Sequence, residues 1–469
     1  MTDKPLRTTA VEIVRHLQTA GFSAYWVGGC VRDFLLGREP QDFDIATSAR
    51  PEQIEKLFKR TIAVGRKFGV MVVVENDRQF QVATYRAEAD YCDGRHPEQV
   101  AFGDAQADAQ RRDFTVNGLF YDPITEKLHD WVGGEKDLRA KIIRTIGMPE
   151  ERFAEDHLRL LRAVRFAAQL GFAIEPQTLA AVRKLAPKIE LISAERIRDE
   201  LIKLFSPPSF GVPPSGGKLH PPSGPPEGGT PNYSPAARGL VLLLKSGLLP
   251  GVLPELITTI ACEQSPDFHP EGTVFEHIRR MLEKLPLGAH PSLAWAVILH
   301  DIAKPATAEL DPATGKIHFY GHEKVGAALA ERILTRLRFP KKQIEEIVAC
   351  VRQHMQFKDV KQMRKATLRR LLMRKTFPLE LELHRLDCLG SHGDLGHHEF
   401  LTGQAAELEK KPAIRPPLLT GKDLIALGMK PGPVLGALLA EIREKQLQDE
   451  LKTPRQARAW AKTKIKHAD

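Results

Sequence analysis

The period of the hydrophobic pattern changes once along this chain, near residue 145, and that change limits the fold more than any other feature. Before it, short runs such as "SAYWVGG", "GVMVVVEN" and "RQFQVATYR" read as strands, and "DFDIAT" reads as another. Two helices interleave with them. "TTAVEIVRHLQTAG" has Thr8 or Thr9 as its expected N-cap and Gly21 as its stop, and "CVRDFLLG" is closed by Gly37. After "IIRTIGMPEERFAEDHLRLLRAVRFAAQLGF" the pattern is helical nearly to the end. The expected class is α+β, with a small N-terminal mixed sheet followed by mostly helical structure. The boundaries fall at 1–145 for the sheet domain, 146–205 for a helical neck, 236–400 for a helical body and 401–469 for a basic helical tail.

One stretch breaks the helical rhythm. Residues 206–235 are dense in Pro, Gly and Ser and contain an imperfect repeat, "PPSGGKLH" then "PPSGPPEGG". So little apolar surface cannot offset the entropy of ordering, so disorder is expected. An insertion without a role is the simpler reading, and a Pro-rich partner-binding segment the other.

The chain has 469 residues and a net charge of +9, from 68 Lys+Arg against 59 Asp+Glu. Such a balance suits a polyanionic partner such as nucleic acid, and also an ordinary basic enzyme. Five cysteines, at 30, 92, 262, 350 and 388, lie far apart without a CxxC, which points to neither a disulfide framework nor a zinc ribbon. The segment "MTDKPLRTTAVEIVRHL" has no signal-peptide core, and no apolar run approaches the ~18 residues of a membrane span. A cytoplasmic protein without a membrane partner is the expectation.

"YWVGGCVRDFLLGREPQDFDIATSA" carries the chemistry. On a strand, residues i and i+2 share a face, so Asp42 and Asp44 present two carboxylates together while Phe43 points into the core. Like charges so placed call for a cation, and Mg2+ is typically held by one or two carboxylates plus phosphate oxygens. Two metals about 3.5–4 Å apart can activate an attacking oxygen and stabilise a leaving one. A bare DxD on a surface loop carries little. Here Gly28 and Gly29 precede a helix start, where a bare backbone and helix N–H groups favour a phosphate, and Arg32 lies within reach. A phosphate cradle beside a carboxylate pair describes a nucleoside triphosphate site.

With these residues in place, the stretch resembles the signature of class II tRNA nucleotidyltransferases, the CCA-adding enzymes, and of bacterial poly(A) polymerases. Both belong to the DNA polymerase β-like nucleotidyltransferase superfamily. "RRDFTVNGLFYDP" (Arg111 to Pro123) is similar to the family's second block, "ERFAEDHLRLLRAVRFAAQLGF" to its nucleotide-selecting block, and "ISAERIRDEL" to the block after that. In order and spacing the likeness spans residues 20 to 205. It implies that Asp42 and Asp44 hold catalytic metal and that Arg112, Asp113 and Asn117 contact ribose and phosphates. Arg162 and Arg165 either hold triphosphate or pair with Glu155. The chain departs from the pattern at Gln81, where the family commonly has a third carboxylate; Glu88 or Asp113 are the acids that could help. Gly118 stands where alanine is usual.

Asp156 and Arg159, read as i, i+3 neighbours on one helix face, can recognise a base. Cytosine and adenine each pair an exocyclic amino donor with a ring-nitrogen acceptor. A carboxylate accepts from the first, and a guanidinium donates to the second. Guanine and uracil offer the opposite order and would leave buried polar groups unpaired. One Asp–Arg pair can therefore admit CTP and ATP without a template. An ordinary helix-surface ion pair is the plainer alternative.

A second constellation lies at 277–387. His300-Asp301 in "LHDIAKP", with His277, His322, His354 and Asp387, resembles the metal site of the HD superfamily, a helical phosphohydrolase fold. Imidazoles with carboxylates suit Mn2+, Ni2+ or Mg2+. The domain so implied runs from about 270 to 395, and either hydrolyses phosphate esters or serves as a scaffold for tRNA. His269, His392, His397 and His398 are not expected as ligands.

Together these readings imply CCA addition: the 3′-hydroxyl of tRNA, or of another RNA, attacks the α-phosphate of CTP or ATP, Mg2+ is held in the sheet domain, and pyrophosphate leaves. The rivals are a poly(A) polymerase, an enzyme adding only CC or only A, an HD phosphohydrolase with a degenerate head, and a non-catalytic RNA-binding protein. "AVGRKFGVMVVV" resembles the CCA type more than the basic run of poly(A) polymerases.

Overall fold

The computed structural model describes residues 5–87, 101–206, 234–265, 269–410 and 417–466. Glu88, Cys92 and nearly all of the 206–235 insertion lie outside them. Two compact units form: Met1–Ile260 with Leu282–Ala294 and Ile333–Phe339, and Ala261–Met281 with Trp295–Arg332 and Pro340–Asp469.

The first unit opens with α1 (Leu6–Thr19), β1 (Ala24–Val27), α2 (Gly29–Leu35), β2 (Ile45–Thr47), α3 (Pro51–Leu57), β3 (Thr61–Gly65), β4 (Val70–Glu75) and β5 (Arg78–Thr84). Then come α4 (Ala105–Gln110), β6 (Phe120–Asp122), β7 (Lys127–His129) and α5 (Gly134–Ala140). The strands make one sheet in the order β3-β4-β5-β2-β1-β6-β7. Its β2–β5 pairing is parallel and the others antiparallel, which is the expected mixed sheet. Trp26, Phe43, Ile45, Phe80, Val82 and Phe120 fill its core.

Two local expectations are corrected. Helix α1 begins at Leu6 behind Pro5, ahead of Thr8 and Thr9. Thr9 is buried, and its hydroxyl accepts from Asn76 Nδ2 at 3.2 Å instead of capping the helix. The strand expected over "DFDIAT" is regular only from Ile45 to Thr47. Asp42 and Asp44 sit in its extended lead, still laddered to β1 because Val27 N–H donates to the Asp44 carbonyl at 3.0 Å.

A helical layer follows: α6 (Pro149–Glu155), α7 (Leu158–Leu170), α8 (Pro176–Leu185), α9 (Ala194–Phe205), α10 (Pro235–Lys245) and α11 (Leu249–Val252). Leu160, Leu161, Val164 and Ala167 bury one stripe of α7, which packs on α9 and α10. Gly239 lets α10 come close: a Cβ there would lie 2.5 Å from Leu204 Cδ1.

The rest is mainly helical: α12 (Val274–Lys284), α13 (Pro291–Leu299), α14 (His322–Arg336), α15 (Lys341–Gln353), α16 (Lys365–Leu372), α17 (Phe377–Gly390) and α18 (Gly396–Lys410). Helix α13, "PSLAWAVIL", is apolar all round, and Leu293 to Leu299 are all buried. It therefore runs inside the protein and carries His300 and Asp301 into the interior. The tail helices α19 (Gly421–Ala426), α20 (Pro433–Leu447) and α21 (Pro454–Lys466) have their own small core of Leu424, Leu438, Ile442, Ala457 and Ala461. Among the described residues no helix is long and apolar enough to cross a membrane.

Candidate active site

Asp42 is exposed and Asp44 half-buried, with Phe43 between them in the core. Burial and the Asp42 carboxylate push Asp44 up to about 6, against the lowering pull of nearby Arg112. Two carboxylates held together at this cost are the donor set of a hard divalent cation. In the parallel β2–β5 pairing Ile45 faces Val82, so one residue earlier Gln81 stands beside Asp44 on the same face. A neutral carboxamide thus stands next to the carboxylate pair.

Gly28 has φ 75° and ψ −130°, a conformation essentially confined to glycine. A Cβ there would lie 2.9 Å from Arg112 Nη1. The bare backbone is what allows that guanidinium against the turn. Arg112 donates to Asp108 at 2.9 Å and lies over the Phe120 ring, and its buried Nε has no hydrogen-bond partner among the described residues. An unpaired cationic N–H beside the turn suits an anion.

Behind this turn a chain of buried polar groups links the sheet to the helices. Arg32 pairs with Asp33 at 2.8 Å and donates to Asn117 Oδ1 at 2.8 Å. Asn117 donates to Asp113 at 3.1 Å, and Arg162 meets Asp113 at 2.6 Å. Glu200 on α9 then takes Arg165 at 2.9 Å and Arg162 at 3.8 Å. Phe166 lies under Arg32, Arg162 and Arg165, with the carbons of the three guanidiniums 4.3–5.3 Å from its ring centre. Burial would raise the Asp113 carboxyl, but Arg162 and Asn117 hold it below the usual range.

The expected ion partners differ here. Arg162 and Arg165 pair with Asp113 and Glu200, not with Glu155. Asp156 and Arg159 do not share one helix: Asp156 has extended backbone between α6 and α7. Its Oδ1 accepts from Leu158 N–H at 3.1 Å, and its Oδ2 pairs with Arg196 at 2.7 Å. Arg159 pairs with Glu155 and donates to the Arg152 carbonyl at 2.8 Å. Sequence reasoning missed Asp33, Asp108, Glu200 and Arg196; the "RD" and "RDE" runs hold Asp33 and Glu200 but give no sign of their partners.

The histidine–aspartate constellation assembles in the second unit. Asp301 lies 3.1 Å from His300 Nε2, 3.3 Å from His322 Nε2, 3.6 Å from His354 Nε2 and 3.9 Å from His277 Nε2. Asp387 is 3.1 Å from His277 Nε2. All six expected residues therefore converge. Nδ1 of His300, His322 and His354 faces the carbonyl three residues back, at 3.0, 2.7 and 2.7 Å. Their Nε2 lone pairs consequently turn inward. His322 and His354 Nε2 stand 3.1 Å apart, and Nε2 of His277 and His300, both buried, lacks an aligned hydrogen-bond partner. Converging unpaired ring nitrogens with a buried carboxylate fit a transition-metal ion. Two unexpected groups border them. Lys304 reaches Asp301 at 2.7 Å, and Glu271 meets His277 Nδ1 at 2.6 Å and His269 Nδ1 at 2.9 Å. His269, not expected as a ligand, bonds Glu271. Burial would lower His277, but the carboxylates of Asp387 and Glu271 on either side of its ring carry it up to about 9, and a metal ion on Nε2 would take the place of that proton.

Three family models match in chain order: the poly A polymerase head domain over residues 24–144, the probable RNA and SrmB-binding site of polymerase A over 171–210, and the HD domain over 273–389. In these three segments the chain is similar to the class II CCA-adding enzyme and poly(A) polymerase family. A CCA-adding enzyme of Staphylococcus aureus strain MRSA252 is 47% identical over 204 residues, 43% of this chain and 51% of that one. The chain thus spans about half the length of the curated relatives it matches. The Bacillus stearothermophilus CCA-adding enzyme, solved in complex with CTP, superposes with TM-score 0.72 at 28% identity over 99% of both chains. The Thermotoga maritima CCA-adding enzyme, complexed with tRNA, shares the fold at TM-score 0.55 and 17% identity, over 99% of this chain and 97% of that one.

Proposed function

We propose that this protein is a template-independent tRNA nucleotidyltransferase that adds C and A residues to the tRNA 3′ end from CTP and ATP. The single observation carrying the reading is the Asp42–Asp44 pair, held beside the Gly28 turn and Arg112 on a sheet of this family's type. The CTP complex of the Bacillus stearothermophilus relative supports the nucleotide class.

In this reading Asp42 and Asp44 would hold Mg2+, which would supply charge neutralisation for the triphosphate and a lowered pKa for the attacking 3′-hydroxyl. Gln81 adds a neutral oxygen on the same face. Arg112, backed by Asp108, binds phosphate, and the bare Gly28 backbone leaves room for it. Arg32, Asp113 and Asn117 are tied to one another and fix the floor beneath the ribose. Attack on the α-phosphate forms one P–O bond as the bond to pyrophosphate breaks. Asp156 and Arg159 present acceptor and donor edges from across the α6–α7 junction, so selection depends on the Arg196 and Glu155 contacts that set their directions.

The test is sequencing of products after incubation of tRNA lacking its CCA end with CTP and ATP, separately and together. CCA termini are expected, and A-only tails on generic RNA would instead mark a poly(A) polymerase. Asp42→Ala should abolish incorporation; intact incorporation in that variant would end the reading.

A second activity is supported by the convergence of His277, His300, Asp301, His322, His354 and Asp387, which suits metal-dependent phosphohydrolysis. Phosphatase activity retained in Asp42→Ala and lost in Asp301→Asn would separate the two sites.

A further inference from the structure

Three of the four histidines around Asp301 have Nδ1 on a neutral backbone carbonyl, each from the residue three positions back. His277 is the exception. Its Nδ1 faces a carboxylate, Glu271 Oε1, at 2.6 Å. That carboxylate side chain is fully buried. The same oxygen also meets His269 Nδ1 at 2.9 Å, and Oε2 has no hydrogen-bond partner among the described residues.

We infer that Glu271 is a positioning residue of the histidine–aspartate site: it fixes His277 with its proton on Nδ1, turns the Nε2 lone pair toward Asp301 and Asp387, and so sets the affinity of the site for a divalent transition metal. The inference rests on the reading of this cluster as a metal site. Glu271 approaches the ring from the Nδ1 side, whereas Asp301 and Asp387 lie on the Nε2 side. It therefore cannot bind the same ion as His277 Nε2 and acts through the ring. A carboxylate acceptor does two things a carbonyl does not. It locks the tautomer through a charge-assisted bond, and it makes the ring nitrogen opposite a stronger electron donor. Taking a carboxylate out of water is costly, so a fully buried one needs strong partners. The side-chain partners Glu271 has among the described residues are the two imidazoles of His269 and His277.

The experiment is Co2+ binding to the full chain, measured by competition with a chelator. The visible absorption of bound Co2+ reports the coordination geometry. Glu271→Gln keeps an oxygen acceptor but no charge, and Glu271→Ala keeps neither. The expected order is parent, then Gln, then Ala, with losses of roughly 10-fold and 100-fold, the range seen when outer-shell partners of metal ligands are removed. Glu271→Ala should also change the Co2+ spectrum. Thermal unfolding in EDTA monitors the fold; if Glu271→Ala does not fold, Glu271→Gln carries the test. A merely structural role would lower the melting temperature in EDTA while leaving affinity and spectrum alone, and that result would overturn the inference. Equal affinity in all three proteins would do the same. If the parent binds no Co2+, or Asp301→Asn binds it as tightly as the parent, the metal-site reading itself falls and the inference with it.

Discussion

Replacing Gly28 with alanine tests whether the phosphate cradle is built on a bare backbone. Two costs can be separated. The backbone at φ 75°, ψ −130° is sparsely populated for any residue with a Cβ, at a cost of about 1–3 kcal/mol. The new methyl would also sit 2.9 Å from Arg112 Nη1, so the guanidinium must retreat by roughly half an ångström or more to reach ordinary contact. It cannot do so freely, because Asp108 holds it at 2.9 Å. A misplacement near 1 Å at a positioning group can cost ~100-fold in rate, so incorporation should fall roughly 10- to 100-fold. Gly37→Ala is the control. Its φ is 70°, and nothing lies within 4 Å of the new Cβ, so it carries the backbone cost of about 1–2 kcal/mol without the collision. The assay is the initial rate of CTP and ATP incorporation into tRNA, alongside urea unfolding of each variant. Gly28→Ala should lose stability and rate, Gly37→Ala stability alone. If both lose stability and both keep the parental rate, close approach of Arg112 to the turn does not matter to the reaction.

Three further outcomes follow from packing and charge. At Gly118 an added Cβ would lie 2.7 Å from Val132 Cγ2 and 3.1 Å from Ile146 Cδ1, so alanine should here cost about 1–3 kcal/mol in urea unfolding, and Val132→Ala in the same chain should restore most of it. His384, stacked on Phe357, is pushed down to about 4 by burial, from an ordinary 6.5. The unfolded chain therefore binds a proton first as pH falls, and stability is lost from about pH 6.5 down to about 4; linkage gives about 2 kcal/mol lost by pH 5, absent in His384→Phe, as pH-dependent thermal unfolding would read. Arg159→Ala should blur the choice among nucleotides in a four-triphosphate competition while leaving Mg2+ dependence intact; unchanged selectivity would end the base-reading proposal.

The division of the chain into a mixed sheet and a helical remainder is legible in the sequence because it rests on local periodicity. The alternation around the DxD is legible too, since Phe43 is buried between the more exposed Asp42 and Asp44. The partners of the arginines are not legible. Glu200 reaches Arg162 and Arg165 from another helix, and Arg196 reaches Asp156 across forty residues. The break at Asp156 carries neither glycine nor proline; its extended backbone and the bond its side chain accepts from Leu158 N–H mark the junction. Glu271 sits in the loop "HPEGT" ahead of α12, where no period points to it, and its role shows only once His277 is in place.

The buried chain Asp33–Arg32–Asn117–Asp113–Arg162–Glu200–Arg165 has one further consequence. Most links answer their neighbour's burial, so exchanging a buried charged member alone strands its partner. A lineage must alter several of them together or none, and they descend as a block. Hybrids between relatives should then tolerate crossovers outside residues 32 to 200 and fail at crossovers within that interval wherever the parents differ at these seven positions, even where each half folds well in its own parent.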